Sequence, residues 1–504
     1  MIVPGCGPTI VNPQLHAVED ARLLGAKRKP QPLKVHMLSG DLVVLDSWKV
    51  AGDGQALEGE GTRYTARREP VASGALSVPV AEVALLETTD SATAAVLSSA
   101  GLSLLTTIWG TLSVACSVSP KSCFGSCPTF YAEGDPDRPR AEGFSSSIAR
   151  VLEARDLDAL GDVGPRDGRV VILMKNEALE THAVRRVRVL AVERPRGARV
   201  FATGEGRFRA THGLARAASC RGPEGSCAEA LALPDDRERR SASHPVDLAA
   251  REELELLFSE APAEAGLVIR ARQSLLTTFL FYQTLACLGR GAGAHLAAIE
   301  RGGPAGAAQA MGMARVLGGI DVEVSEPGGP WRRAGAFDEA GPIASDTQVL
   351  PLGPRHRSGP LRVRLRMARG HWRVDWVALG QIGPELQPRV VEPEAVERDG
   401  RLDARALDLL RDGSRHLITL PGDEYRLSFL LPKGGGASEL FVESEGYYYE
   451  WMREEWLREE DPAMALLIAS RPEEALRRLA GPFKAQEAGA DAVFWASRYE
   501  RRAR

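Results

Sequence analysis

Cysteine is scarce: seven residues in 504, too few for a disulfide-dense scaffold. An excess of either charge is missing as well. Lys and Arg number 63 against 67 Asp and Glu, a formal net charge of -4, which excludes the basic footprint of a nucleic-acid binder. Local catalytic signatures are also lacking. There is no GxxxxGK[ST], no HExxH, no GxSxG and no glycine fingerprint following a strand. The acidic run ARDLDALGDVGPRDG, with Asp156, Asp158, Asp162 and Asp167, lacks the glycine and terminal glutamate of a calcium loop and reads as a solvated acidic turn. Motifs therefore assign no catalytic residue, cofactor or metal. The first residues, MIVPGCGPT, lack the basic region and apolar run of a secretory signal.

The cysteines that are present fall into local groups. KSCFGSCPTFYAEG holds Cys123 and Cys127, and RGPEGS separates Cys220 from Cys227. A zinc knuckle does not fit the wide second gap, and His212 and His244 complete no finger pattern. A thioredoxin-like pair needs CxxC at a helix start, and no histidine motif singles out a partner for a nucleophilic Cys127. Two local disulfides, Cys123–Cys127 and Cys220–Cys227, are the specific expectation in an oxidising compartment; buried thiols are the expectation in a reducing one. Val3-Pro4-Gly5-Cys6 looks like the tail of a lipobox, which makes Cys6 the expected lipidation site.

With 504 residues, several cores and domains fit. Short glycine-punctuated strands predict a small β domain over 35–90. Residues 91–120 carry no charge after Asp90, and two readings stay open: a buried helix or hairpin, or a membrane-associated segment. A β-rich domain with cysteine-containing loops spans 121–245. Val246–Phe258 has helical periodicity, SLLTTFLFYQTLACLG reads as a buried helix, and together they predict a helical segment over 246–318. Residues 319–385 read as a β-sandwich-like module. There LRVRLRM alternates, and HWRVDWVAL places Trp372, Val374 and Trp376 on one face and His371, Arg373 and Asp375 on the other.

The region 400–504 reads as α+β. LDARALDLLRDG predicts a short helix stopped by glycine, YRLSFLLP and ELFVESEG a strand pair, and GYYYEWMREEWLREED a helix starting near Tyr448. On such a helix Glu450 and Glu454 share a face, which is weak acid–base geometry, while Tyr448, Trp451 and Trp456 offer aromatic contacts. The fold class expected is α+β and multidomain, mostly antiparallel β with helical insertions and one small β-sandwich-like module.

GDLVVLDSW, SCPTFYAEG, EGFSSSIARVLEARDLDAL and GYYYEWMREEW together resemble a group of large bacterial cell-envelope proteins predicted to be lipoproteins. The resemblance implies an exported protein with a lipobox cysteine and carries over no catalytic residue; a structural or binding role on the periplasmic side is the expectation, leaning on the Trp-rich β module and the aromatic C-terminal segment. A protein or envelope component is the implied partner, and attachment would run through Cys6 or residues 91–120. Trp372, Trp376, Tyr448, Trp451 and Trp456 form the expected interaction surface. A hydrolase-like enzyme with a site assembled from distant loops is the rival reading, and a cytoplasmic location the alternative one.

Overall fold

The computed structural model describes residues 10–16, 33–37, 41–65, 70–92, 127–148, 150–289, 292, 295, 311–338, 341–355, 359–432, 436–450 and 459–498. Antiparallel strands dominate, arranged in four sheets and one closed barrel, with six α-helices among the described residues. Cys6, Trp451 and Trp456 lie outside the described residues, as does the apolar segment beyond Ala92.

The N-terminal sheet orders its six strands Ile10–His16, Val83–Ala92, Leu33–Met37, Leu42–Val50, Ala56–Tyr64 and Pro70–Pro79. Val35, Val43, Leu45, Leu57 and Leu86 build its own core. Glycine serves it at a close approach: a Cβ on Gly59 or Gly61 would run into the backbone of the neighbouring strand.

Two further sheets share one core. Glu424–Leu430, Arg169–Lys175, Thr129–Ala132 and Asp135–Glu142 run side by side in one, and Glu180–Glu193, Ser438–Glu450 and Ala154–Ala159 in the other. Phe130, Ile172, Leu427 and Phe429 of the first meet Val184, Val187, Val189 and Val442 of the second. YRLSFLLP and ELFVESEG are thus strands of different sheets rather than a pair. The helix expected to start at Tyr448 is replaced there by strand: Tyr447, Tyr448, Tyr449 and Glu450 end Ser438–Glu450, pairing with Glu180–Ala183. Aromatic and β-branched cross-strand neighbours favour that outcome over the helical propensity of the downstream EWMREEW.

The expected sandwich over 319–385 does not form as a unit. Asp346–Pro354 and Trp372–Leu386 close a five-stranded barrel with Ala198–Ala202, Phe208–Arg216 and Glu264–Gln273. Ile320–Ser325, Arg332–Phe337 and Gly359–Ala368 instead join a six-stranded sheet with Ser219–Gly222, Gly225–Ser226 and Arg251–Ala261. Sheet and barrel share a core that includes Leu254, Phe258, Leu267, Ile269, Val363, Leu365, Trp372 and Leu379. The amphipathic reading of LRVRLRM holds: Val363, Leu365 and Met367 are buried, and Arg364 and Arg366 pair outward with Glu253, Glu255 and Glu323.

Val246–Phe258 departs from the expected helix, because Arg251–Ala261 is a strand with Glu252, Leu254, Leu256 and Phe258 on its inner face. A glutamate at the first inward position hid the period of two. The segment Leu276–Leu288 is the buried helix expected, packed through Phe279 against Phe483 of helix Pro472–Glu487, with ring centroids 5.1 Å apart. Ala404–Asp412 is helical as its sequence predicts. Asp403 caps it by accepting from Ala406 N at 2.9 Å, and Gly413 ends it at φ +63°. Asp403→Ala should cost about 1 kcal/mol, read as a lower urea midpoint with unchanged slope.

Candidate functional site

Two sheets and the barrel meet at carboxyl groups. Glu142 ends the strand Asp135–Glu142, Asp158 lies in the edge strand Ala154–Ala159, and Asp346 opens the barrel strand Asp346–Pro354. All three are buried. Backbone N–H groups tie the elements together through them. Glu142 N donates to Asp158 Oδ2 at 3.2 Å, Ala159 N to Asp346 Oδ1 at 3.3 Å, and Ile343 N to Glu142 Oε1 at 3.1 Å. Asp156 extends the group by accepting from Phe144 N at 3.0 Å. A Cβ at Gly341 would collide with the Glu142 carboxyl, so any larger residue there would have to push that carboxyl aside.

Cys127 completes the joint. Its residue is in the left-handed region, φ +65°, and its thiol donates to Glu142 Oε2 at 3.3 Å. Ala178, Leu275, Ile343, Ala490 and Phe494 pack around it. The predicted Cys123–Cys127 clip is therefore corrected at one end: Cys127 carries a thiol, and Cys123 lies outside the described residues. The left-handed turn at Cys127, just before Pro128, directs the side chain inward to Glu142. By contrast, Cys220 and Cys227 form the expected disulfide, buried in the core shared by sheet and barrel, with Cα atoms 5.0 Å apart.

Burial penalises the charged form of each of these carboxyls. Desolvation pushes Glu142 from its ordinary 4.5 up to about 8, against the opposing hydrogen bonds from Cys127 and Ile343. Desolvation also raises Asp158, helped by the charges of Asp156, Asp346 and Glu142, and it raises Asp346. A carboxyl whose value is raised in the folded state contributes stability that is fully present below pH 4.5, its ordinary value, and lost as pH rises through about 8. Unfolding free energy should fall across that window by about 1.4 kcal/mol per pH unit for each proton kept only by the folded chain. Glu142→Gln should flatten the slope of the urea midpoint between pH 5 and 9; an unchanged slope would remove Glu142 from the account.

A second polar cluster lies on the loop between Arg169–Lys175 and Glu180–Glu193. Asn176 Nδ2 donates to Glu180 O at 3.0 Å, which folds the loop back on itself, and Tyr131 Oη donates to Glu177 at 2.6 Å. His182 Nε2 lies 3.1 Å from Glu180 Oε2, both side chains wholly buried. Desolvation drives His182 down to about 3, so the imidazole is neutral at ordinary pH. Tyr448 Oη donates to Ser145 O at 3.1 Å, and burial pushes its phenol up. The acids and bases of both clusters face the interior.

The expected site residues scatter. Trp372 and Tyr448 are each 1% exposed and belong to hydrophobic cores, which corrects their assignment to an interaction surface. Trp376 is part-buried against Phe201, with ring centroids 6.2 Å apart, and keeps a surface edge. The polar face of HWRVDWVAL is not solvated: His371, Arg373 and Asp375 are buried, and a bulge opposite Arg270 and Ala271 turns Asp375 inward to Arg270. Glu450 is buried at a strand end, not on a solvated helix. Asp158, read as part of a solvated turn, is an inward strand residue.

Glu142, His182, Arg239, Glu252 and Asp346 were not singled out by the sequence. The one signal for Glu142 is its position at the start of EGFSSS, where a strand end meets a glycine. No protein-family model and no curated protein matches this chain. Among the described residues no group of His, Cys, Asp and Glu has metal-holding geometry, and no helix is long and apolar enough to cross a membrane.

Proposed function

We propose that this chain is a structural or binding protein of the bacterial cell envelope, working on its periplasmic side. The observation that carries the reading is the Cys220–Cys227 disulfide, which belongs to proteins of oxidising compartments. The mostly antiparallel β architecture suits a rigid scaffold, and the part-exposed edge of Trp376 on the barrel is the contact surface for a protein or envelope-component partner. Lipidation at Cys6, or association through residues 91–120, would hold it at the membrane. One version of the rival hydrolase-like reading joins His371 or Asp375 to Glu450 or Glu454 in an open cleft; His371, Asp375 and Glu450 are buried, which speaks against that version, and Glu454 lies outside the described residues.

The test is fractionation of native cells with thiols blocked before lysis. Recovery with the periplasm or membranes, Cys220 and Cys227 alkylated only after reduction, and a lipid mass on the Cys6 peptide are expected. Recovery in the cytoplasm with both thiols reduced would overturn the proposal.

A further inference from the structure

The joint of Glu142, Asp158 and Asp346 lacks what usually holds buried carboxyls. Among the described residues none of the three takes part in an ion pair, and Arg270, which pairs with Asp375, bears on Asp346 only through its charge. Cys127 and Thr129 face Glu142 with neutral groups, Asp156 and Asp158 of the strand Ala154–Ala159 with acidic ones, and Asp346 of the barrel adds its charge to Asp158. The segment 341–344 brings Arg272, which donates to Pro342 O at 2.6 Å but is paired with Glu238. Tyr448, behind Cys127, adds a phenol and brings the charges of Glu180 and Glu450 nearby. Uncharged carboxyls fit such a setting; carboxylates in it repel each other at low dielectric.

We propose that this joint is a proton-operated latch, closed while its carboxyls keep their protons and opened when Glu142 gives its proton to alkaline solvent, and that opening uncovers the thiol of Cys127. Three features make the latch local. The joint is where separate sheets and the barrel touch, so opening it need not break any one sheet. Ile343, whose N–H holds Glu142, also packs on Cys127, so the two loosen together. Thr129 sits directly opposite Glu142 on the adjacent strand, wholly buried with Oγ1 unpartnered, and offers the ionised carboxylate a further donor beside Cys127 and Ile343. The chemical change is one O–H bond: the Glu142 carboxylic acid becomes a carboxylate, and the proton passes to water.

The test uses the full chain and brief pulses of N-ethylmaleimide between pH 6 and 9.5. Labelling of each cysteine peptide is measured by mass and divided by that of the urea-unfolded protein at the same pH, which removes the ordinary rise in thiolate. Protection of Cys127 should fall more than tenfold between pH 7 and 9.5, while Cys287, buried in the helical core, stays protected. Glu142→Gln should keep Cys127 protected throughout. Constant protection in the natural protein, an equal fall in Glu142→Gln, or parallel loss at Cys287 would each overturn the latch. If Glu142→Gln does not fold, Asp346→Asn is the second variant, and it should move the fall in protection to higher pH; an unmoved fall would count against the proposal.

Discussion

Arg239→Ala should be the most damaging single polar substitution, costing about 3–5 kcal/mol. Arg239 is a buried cation whose Nη1 and Nη2 both lie 2.8 Å from the buried carboxylate of Glu252. Ser241 Oγ adds a bond to the same carboxylate at 2.7 Å, and Glu224 takes a further one from Nη2 at 2.6 Å. Arg239 also exchanges backbone bonds with Val374, so it clamps the 235–240 segment onto the barrel strand Trp372–Leu386. Removing its side chain leaves Glu252 charged, desolvated and facing Leu254 and its neighbours, and that stranded charge dominates the cost. The double variant Arg239→Met with Glu252→Leu removes both charges and should recover most of the loss. Urea midpoints of the two singles and the double form the cycle. A double variant as unstable as the sum of Arg239→Met and Glu252→Leu would mean that the two side chains are not coupled, and would sink the stranded-charge account.

The same pair explains why part of the fold was hidden in the sequence. Glycine-stopped Ala404–Asp412, apolar Leu276–Leu288 and alternating Gly359–Ala368 were legible because their patterns are uninterrupted. Arg251–Ala261 was not, since Glu252 takes an inward position that Arg239, thirteen residues upstream, and Ser241 make tolerable. Asp375 misled in the same way: an acid in a strand reads as solvent-facing unless its buried partner is known. Membership of strands in sheets was less legible still. Asp346–Pro354 and Gly359–Ala368 are neighbours in sequence, yet one closes a barrel with Ala198–Ala202 and the other joins a different sheet. Nothing in local alternation specifies that choice, which is made by long-range pairing and shared core volume. The carboxyl joint needed three such long-range contacts at once, so the candidate site was the least legible feature.

Trp372→Ala should cost about 3–5 kcal/mol of stability, whereas Trp376→Ala should cost about 1 kcal/mol or less. The two residues share a strand and were expected to act together on a partner. Burial separates their roles. Trp372 is among the largest wholly buried side chains, within the core that joins barrel and six-stranded sheet, so truncation opens a cavity between two β layers. Trp376 is part-exposed against Phe201, where water and the neighbouring ring can fill in. A further contrast tests whether Trp372 acts only by volume. Its indole Nε1 is buried without a hydrogen-bond partner, an uncommon state for a core tryptophan. Trp372→Phe loses part of the packing but also removes that orphan donor, whose burial carries a penalty of its own. Its loss should therefore be well under half that of Trp372→Ala in urea midpoints measured at a common slope. Equal losses for the Phe and Ala variants would show that the indole is bonded in solution, and near-wild-type stability of Trp372→Ala would return Trp372 to the surface reading.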